Sequence, residues 1–264
     1  MLYRQGFGRC GLSTPQIPAK ERIPVSEYVK GTFVPLSHLA HGWEIHSLTT
    51  LSPAEERTMV REPAQAVPAT MAARIGPLRV LMVPYIACEE SGDVVCRAKP
   101  KGESHISAWL ETEDRINLLL ACREANAHDT GFEFLASVAE LLRPRLTSSE
   151  VSRYVVILDD ELNHKVKGEI DEDARAAKEI LLSTRFWRRK GAQYGRYRDI
   201  SLVSTMAEYV HGLWHDVQVH IGPEHLPVEQ LRRRINLMAG MFPPNPGYAL
   251  FAKELEEELE NKEL

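Results

Sequence analysis

Cysteine is scarce in this chain. Four residues, Cys10, Cys88, Cys96 and Cys122, are scattered over 264 positions, too few and too far apart for a disulfide framework. Cys88 and Cys96 bracket the turn-like Glu90-Ser91-Gly92-Asp93, where they stand to face each other across a hairpin; packing as small apolar side chains is the simpler expectation. Long apolar runs are also missing. The longest, residues 80–88, is strand-sized and interrupted by Pro84, far below the ~18 apolar residues of a membrane span. The opening MLYRQGFGRCG holds no apolar stretch of the secretory type. A cytoplasmic location and no membrane partner are therefore expected.

Net charge is small as well. Lys and Arg number 32 against 37 Asp and Glu, and the resulting −5 argues against general nucleic-acid binding while leaving room for a local basic patch. Familiar nucleotide and hydrolase signatures are lacking: there is no phosphate-loop string and no G-x-S-x-G elbow. Gly6-Phe-Gly8-Arg-Cys-Gly11 matches the dinucleotide fingerprint as a string, but no strand precedes it and no helical pattern follows.

Proline is nearly absent from residues 101–222, which hold only Pro144, whereas ten of the sixteen prolines fall within residues 1–100. Proline has no amide donor and clashes inside helices, so the first third reads as strands and loops. Residues 1–30 read as a meandering arm, 32–51 and 78–98 as strands, the second a hairpin, and 53–75 as a helical insertion opened by Ser52-Pro53. From residue 113 the apolar spacing becomes helical. Helices are predicted through 132–142, then after a Ser148 or Ser149 cap, after Asp171, after Asp199, and over 228–240 and 248–261. The fold class is α+β, with a β-rich, Pro-rich part at 1–110 and a mainly helical part at 111–264 that together make two domains or one continuous domain.

What the chain does have is clustered histidine. Four of its ten, His211, His215, His220 and His225, lie within fifteen residues. Imidazole is the usual neutral ligand for zinc, iron and copper and the usual proton carrier near neutral pH. Glu208, His211 and His215 are three and four residues apart, which puts them on one helix face, opposite the apolar stripe, where two histidines can chelate one ion. The expected site is a divalent metal, zinc first, held by His211, His215 and His225 and activating water for hydrolysis, with Glu208 and Glu224 as the carboxylates available for catalysis. The zinc-protease string H-E-x-x-H is degenerate here, since Gly212 stands where its glutamate belongs. Glu161-x-x-His164 pairs poorly with Glu208-x-x-His211 as a di-iron set, and His38, His41 and His46 form a smaller cluster.

A competing feature is the segment 185–198, RFWRRKGAQYGRYR, with six cations, four aromatics and no acid. Arg185, Arg188, Arg189, Arg196 and Arg198 can neutralise phosphates while Phe186, Trp187, Tyr194 and Tyr197 stack on bases, and Arg232-Arg233-Arg234 extends the patch. That reading makes the chain a non-enzymatic binder of nucleic acid or another acidic partner.

Overall fold

The computed structural model describes residues 22–33, 36–183, 191–217 and 222–251. Two compact units divide the chain, residues 1–65 with 75–137 and residues 66–74 with 138–264. The architecture is α+β as the proline distribution predicts, with two sheets in the N-terminal region and mainly helices in the C-terminal region.

The strands of the first unit are β1 (Arg22–Pro24), β2 (Ser37–His38), β3 (Glu44–Ser47), β4 (Leu78–Val83), β5 (Tyr85–Ala87), β6 (Val94–Cys96), β7 (Ser104–His105), β8 (Ser107–Glu111) and β9 (Ile116–Ala121). A short helix, α1 (Val25–Tyr28), follows β1, and α2 (Pro53–Glu56), a π-helical turn at Arg57–Arg61, α3 (Glu62–Ala66) and α4 (Ala69–Ile75) lie between β3 and β4. Ser52 caps α2 through a reciprocal box with Glu55, and Pro53 takes the first helical position, where its missing N–H costs nothing.

One sheet has the order β2-β3-β4-β9-β8, with β3, β4 and β9 parallel. Every residue of β9 is buried. A strand covered on both faces shows no alternation, so INLLLA resembles a buried helix in sequence. This is why the helical region begins at Ala127 and not at residue 113. Pro84 cannot continue the β4 ladder, and past it the chain enters the second sheet, ordered β1-β6-β5-β7. Ile86 and Val95 on one face of that sheet join Leu81, Val83, Leu119 and Ala121 in a shared core. Each fully buried Leu, Ile or Val side chain among them contributes about 1.5–3 kcal/mol.

The helices that follow are α5 (Ala127–Leu142), α6 (Ser148–Asn163), α7 (Glu172–Ser183), α8 (Ala192–His215) and α9 (Val228–Met241). At the start of α5, Asn126 Oδ1 accepts from the Asp129 amide (2.9 Å) and caps the helix. Two caps depart from expectation. Thr147, not Ser148 or Ser149, caps α6, because Glu150 stands three residues on and completes a capping box. Asp199 lies inside α8 and pairs with Arg143 and Arg198. Asp171 caps α7 as predicted, accepting from Ala174 N at 2.7 Å.

Helix α8 packs against α6, α7 and α9. A buried ion cluster joins them. Arg234, fully buried on α9, donates to both oxygens of Glu161 on α6 (3.1 Å each), to Glu169 Oε2 (2.8 Å) and to Ser201 Oγ on α8 (2.8 Å). Lys178 of α7 and the Tyr197 hydroxyl of α8 also reach Glu169. Arg234 is thus a core residue and no part of a basic surface patch.

Candidate metal centre

Three donors converge on the β5–β6 hairpin. The register pairs Tyr85 with Cys96 and Ala87 with Val94, so one step further Cys88 stands opposite Asp93. Strand β7 pairs on the other side of β5, His105 opposite Ile86. Directly opposed residues share a face, and Ile86 and Cys88, two apart, share it too. Register alone therefore brings Cys88, Asp93 and His105 to one face. Their ligand atoms all lie within 4.8 Å of one another, and His105 Nε2 is 3.5 Å from Asp93 Oδ1.

The surroundings hold this arrangement in place. Asp93 is buried and its carbonyl accepts from Val25 N (2.9 Å), which ties the turn to α1. Cys88 N donates to Glu103 O (3.0 Å), continuing the β5–β7 pairing past its last strand residue. Gly92 takes φ +114°, a left-handed conformation glycine adopts without strain, and its amide closes the turn on Glu89 O (3.0 Å). Arg22 of β1 pairs with Glu89 across the same turn. Cys88 and His105 are each half-buried, and Cys88, Cys96 and Cys122 form no disulfide.

The cysteine expectation is corrected accordingly. Cys96 faces Tyr85 rather than Cys88, because four residues, Glu89-Glu90-Ser91-Gly92, separate Cys88 from its true partner Asp93. Burial pushes the Cys96 and Cys122 thiols up, which suits apolar packing, and these two fit the simple reading. Cys88 does not.

Among the described residues, Cys88, Asp93 and His105 are the one group of three or more such side chains close enough to hold a metal ion. The helical histidines are not in such a group. His211 is buried, 3.5 Å from Glu208 Oε2 by its Nδ1, with its ring 5.9 Å from that of His215. The Glu208–His211 face is not the open polar face expected, because Tyr209, Val210, His211, Gly212 and Leu213 are all buried and α8 is covered nearly all round. His215 lies against Trp214, ring centroids 3.8 Å apart. His225 pairs by its backbone with Glu169 and by Nε2 with Glu224 (3.3 Å). In the smaller cluster, His41 contacts Ala64 O (3.1 Å) and His46 packs on Phe33. His220 lies outside the described residues.

In the basic segment, Arg185, Arg188, Arg189, Phe186 and Trp187 lie outside the described residues. Tyr194 and Tyr197 are buried, their hydroxyls donating to Asp159 (2.8 Å) and Glu169, so neither offers a face to a base. Arg198 pairs with Asp199 (2.7 Å), and Arg196 is exposed. Among the described residues, no helix is long and apolar enough to cross a membrane. No protein-family model, no curated protein and no solved structure matches this chain.

Proposed function

We propose that this chain binds a divalent metal ion, zinc first, through Cys88 Sγ, an Asp93 carboxylate oxygen and a His105 imidazole nitrogen. The observation that carries the reading is the convergence of the three donor atoms within 4.8 Å on one hairpin face. Tetrahedral zinc with its usual bonds to S, N and O sets ligand–ligand edges of about 3.3–3.6 Å. The 3.5 Å between His105 and Asp93 already has that length. Thiolate and imidazole together favour zinc over the hard cations magnesium and calcium.

Three protein ligands leave the fourth position to water, the pattern of catalytic rather than structural zinc. Zinc lowers the pKa of such a water to about 7 and makes it a nucleophile at neutral pH. A metal-dependent hydrolase is therefore the activity proposed, with its centre on the β5–β6–β7 face and not on α8.

The test is metal content by mass spectrometry on tag-free protein purified without added metal or chelator. Near-stoichiometric zinc is expected, lost in Cys88→Ser and in His105→Ala and kept in the His211→Ala/His215→Ala double variant. Protein that carries no metal and takes up none on titration with zinc, manganese or iron overturns the proposal. Loss confined to the double variant moves the site to α8.

A further inference from the structure

The helical unit holds a cavity of about 900 Å³ between the end of α6, the α7 flank and residues 223–224. Its lining combines the apolar Leu162, Val166, Leu182 and Pro223 with the cations Lys165, Lys167, Arg175 and Lys178. Cavities of this size, mostly apolar with a few placed polar groups, are the usual form of a small-molecule site.

Its walls are fixed before any ligand arrives. Glu169 N donates to Glu224 O (3.1 Å) and Leu226 N to Glu169 O (3.0 Å), which locks the two sides together. Gly168, at φ +72°, makes the approach possible, since a Cβ there would stand 2.0 Å from His225 O. Lys178 Nζ reinforces the corner by donating to Gly168 O at 2.8 Å.

Charge and apolar surface then define the ligand. Lys165 and Lys167 follow the C-terminus of α6, where the helix dipole by itself favours cations. Arg175 and Lys178 come from α7, and each has a carboxylate partner, Glu172 (3.6 Å) and Glu169 (3.1 Å). Glu224 is drawn to His225, which leaves Lys165 and Lys167 against Glu179. Leu182, one helical turn past Lys178 on the same face of α7, is 49% exposed, a large apolar side chain left to water at a concave site. We infer that this cavity binds an organic anion with an apolar body, of which a medium-chain carboxylate is the simplest member.

Calorimetric titration of the full chain with hexanoate, octanoate and decanoate tests this. Burying each added methylene should tighten binding about threefold to fourfold until the apolar lining is covered. Lys165→Glu/Lys167→Glu should weaken decanoate at least tenfold and leave 1-decanol unchanged, whereas Leu182→Glu should weaken both. All three positions are exposed, and unfolding curves without ligand check that the variants fold. Absence of binding at millimolar decanoate overturns the inference, as does affinity that is indifferent to chain length. Inorganic phosphate competing on equal terms would reduce the site to a charged patch, and unchanged affinity in the Lys165/Lys167 variant would place the ligand elsewhere.

Discussion

Replacing Arg234 with methionine keeps an unbranched apolar stem and removes the charge on which the helical unit converges. Arg234 is 0% exposed and Glu161 and Glu169 are 1% each, so water cannot take over its role. The cluster is neutral as built, with Glu161 and Glu169 against Arg234 and Lys178. Without Arg234, Glu169 keeps Lys178 and Tyr197, whereas Glu161 loses the partner that holds its carboxylate. Removing one member of a buried pair and stranding the other costs about 3–5 kcal/mol. The loss should appear as faster amide exchange along α8 and α9, which report on this unit alone. The double variant Glu161→Leu/Arg234→Met removes both charges and should regain more than half the loss, since apolar replacements of buried pairs are often neutral or better. A single-variant cost below about 1 kcal/mol, or a double variant no better than the single, would refute the view that this cluster is electrostatically self-contained.

The intact protein should show a pH response that originates at Glu169. Burial pushes its carboxyl up, but the Arg234 guanidinium, Lys178 and the Tyr197 hydroxyl hold it down at about 2. A depressed carboxyl stabilises fully above its unfolded value of 4.5 and loses that contribution as pH falls toward 2. About 2 kcal/mol should therefore go between pH 6 and pH 3, and Glu169→Gln should flatten that part of the profile measured by urea unfolding. An unchanged slope in the variant would count against the ion cluster as the source. Gly168→Ala meets both a φ of +72° and a Cβ 2.0 Å from His225 O. The backbone conformation alone costs about 1–2 kcal/mol before the clash is relieved. Exchange of the Glu169 and Leu226 amides, which bridge the two segments, should accelerate first, and protection equal to wild type would show that the bridge does not depend on this glycine.

How much of this was legible in the sequence follows from the range of the physics involved. Features set within a few residues read correctly: Ser52-Pro53 opening a helix, Asp171 capping another, and the hairpin around Ser91-Gly92. Proline counts separated the β-rich region from the helical one because a missing amide acts locally. The strand β9 was misread because a doubly covered strand loses the alternation that identifies strands. The candidate metal group of the hairpin was missed for a different reason. Histidine density drew attention to α8, but density on one helix says nothing of which distant chains meet there, and that face is largely packed over. Cys88, Asp93 and His105 are unremarkable as a string, seventeen positions from first to last. Yet one further step of local reasoning reaches two of them. Counting the hairpin inward from Tyr85 and Cys96 pairs Cys88 with Asp93, and the four intervening residues fit a common turn length. His105 needed the register of β7, which its two residues are too few to declare. A candidate site assembled from one short-range and one longer-range pairing is therefore partly visible before folding, and the hidden part is the candidate donor that strand order supplies.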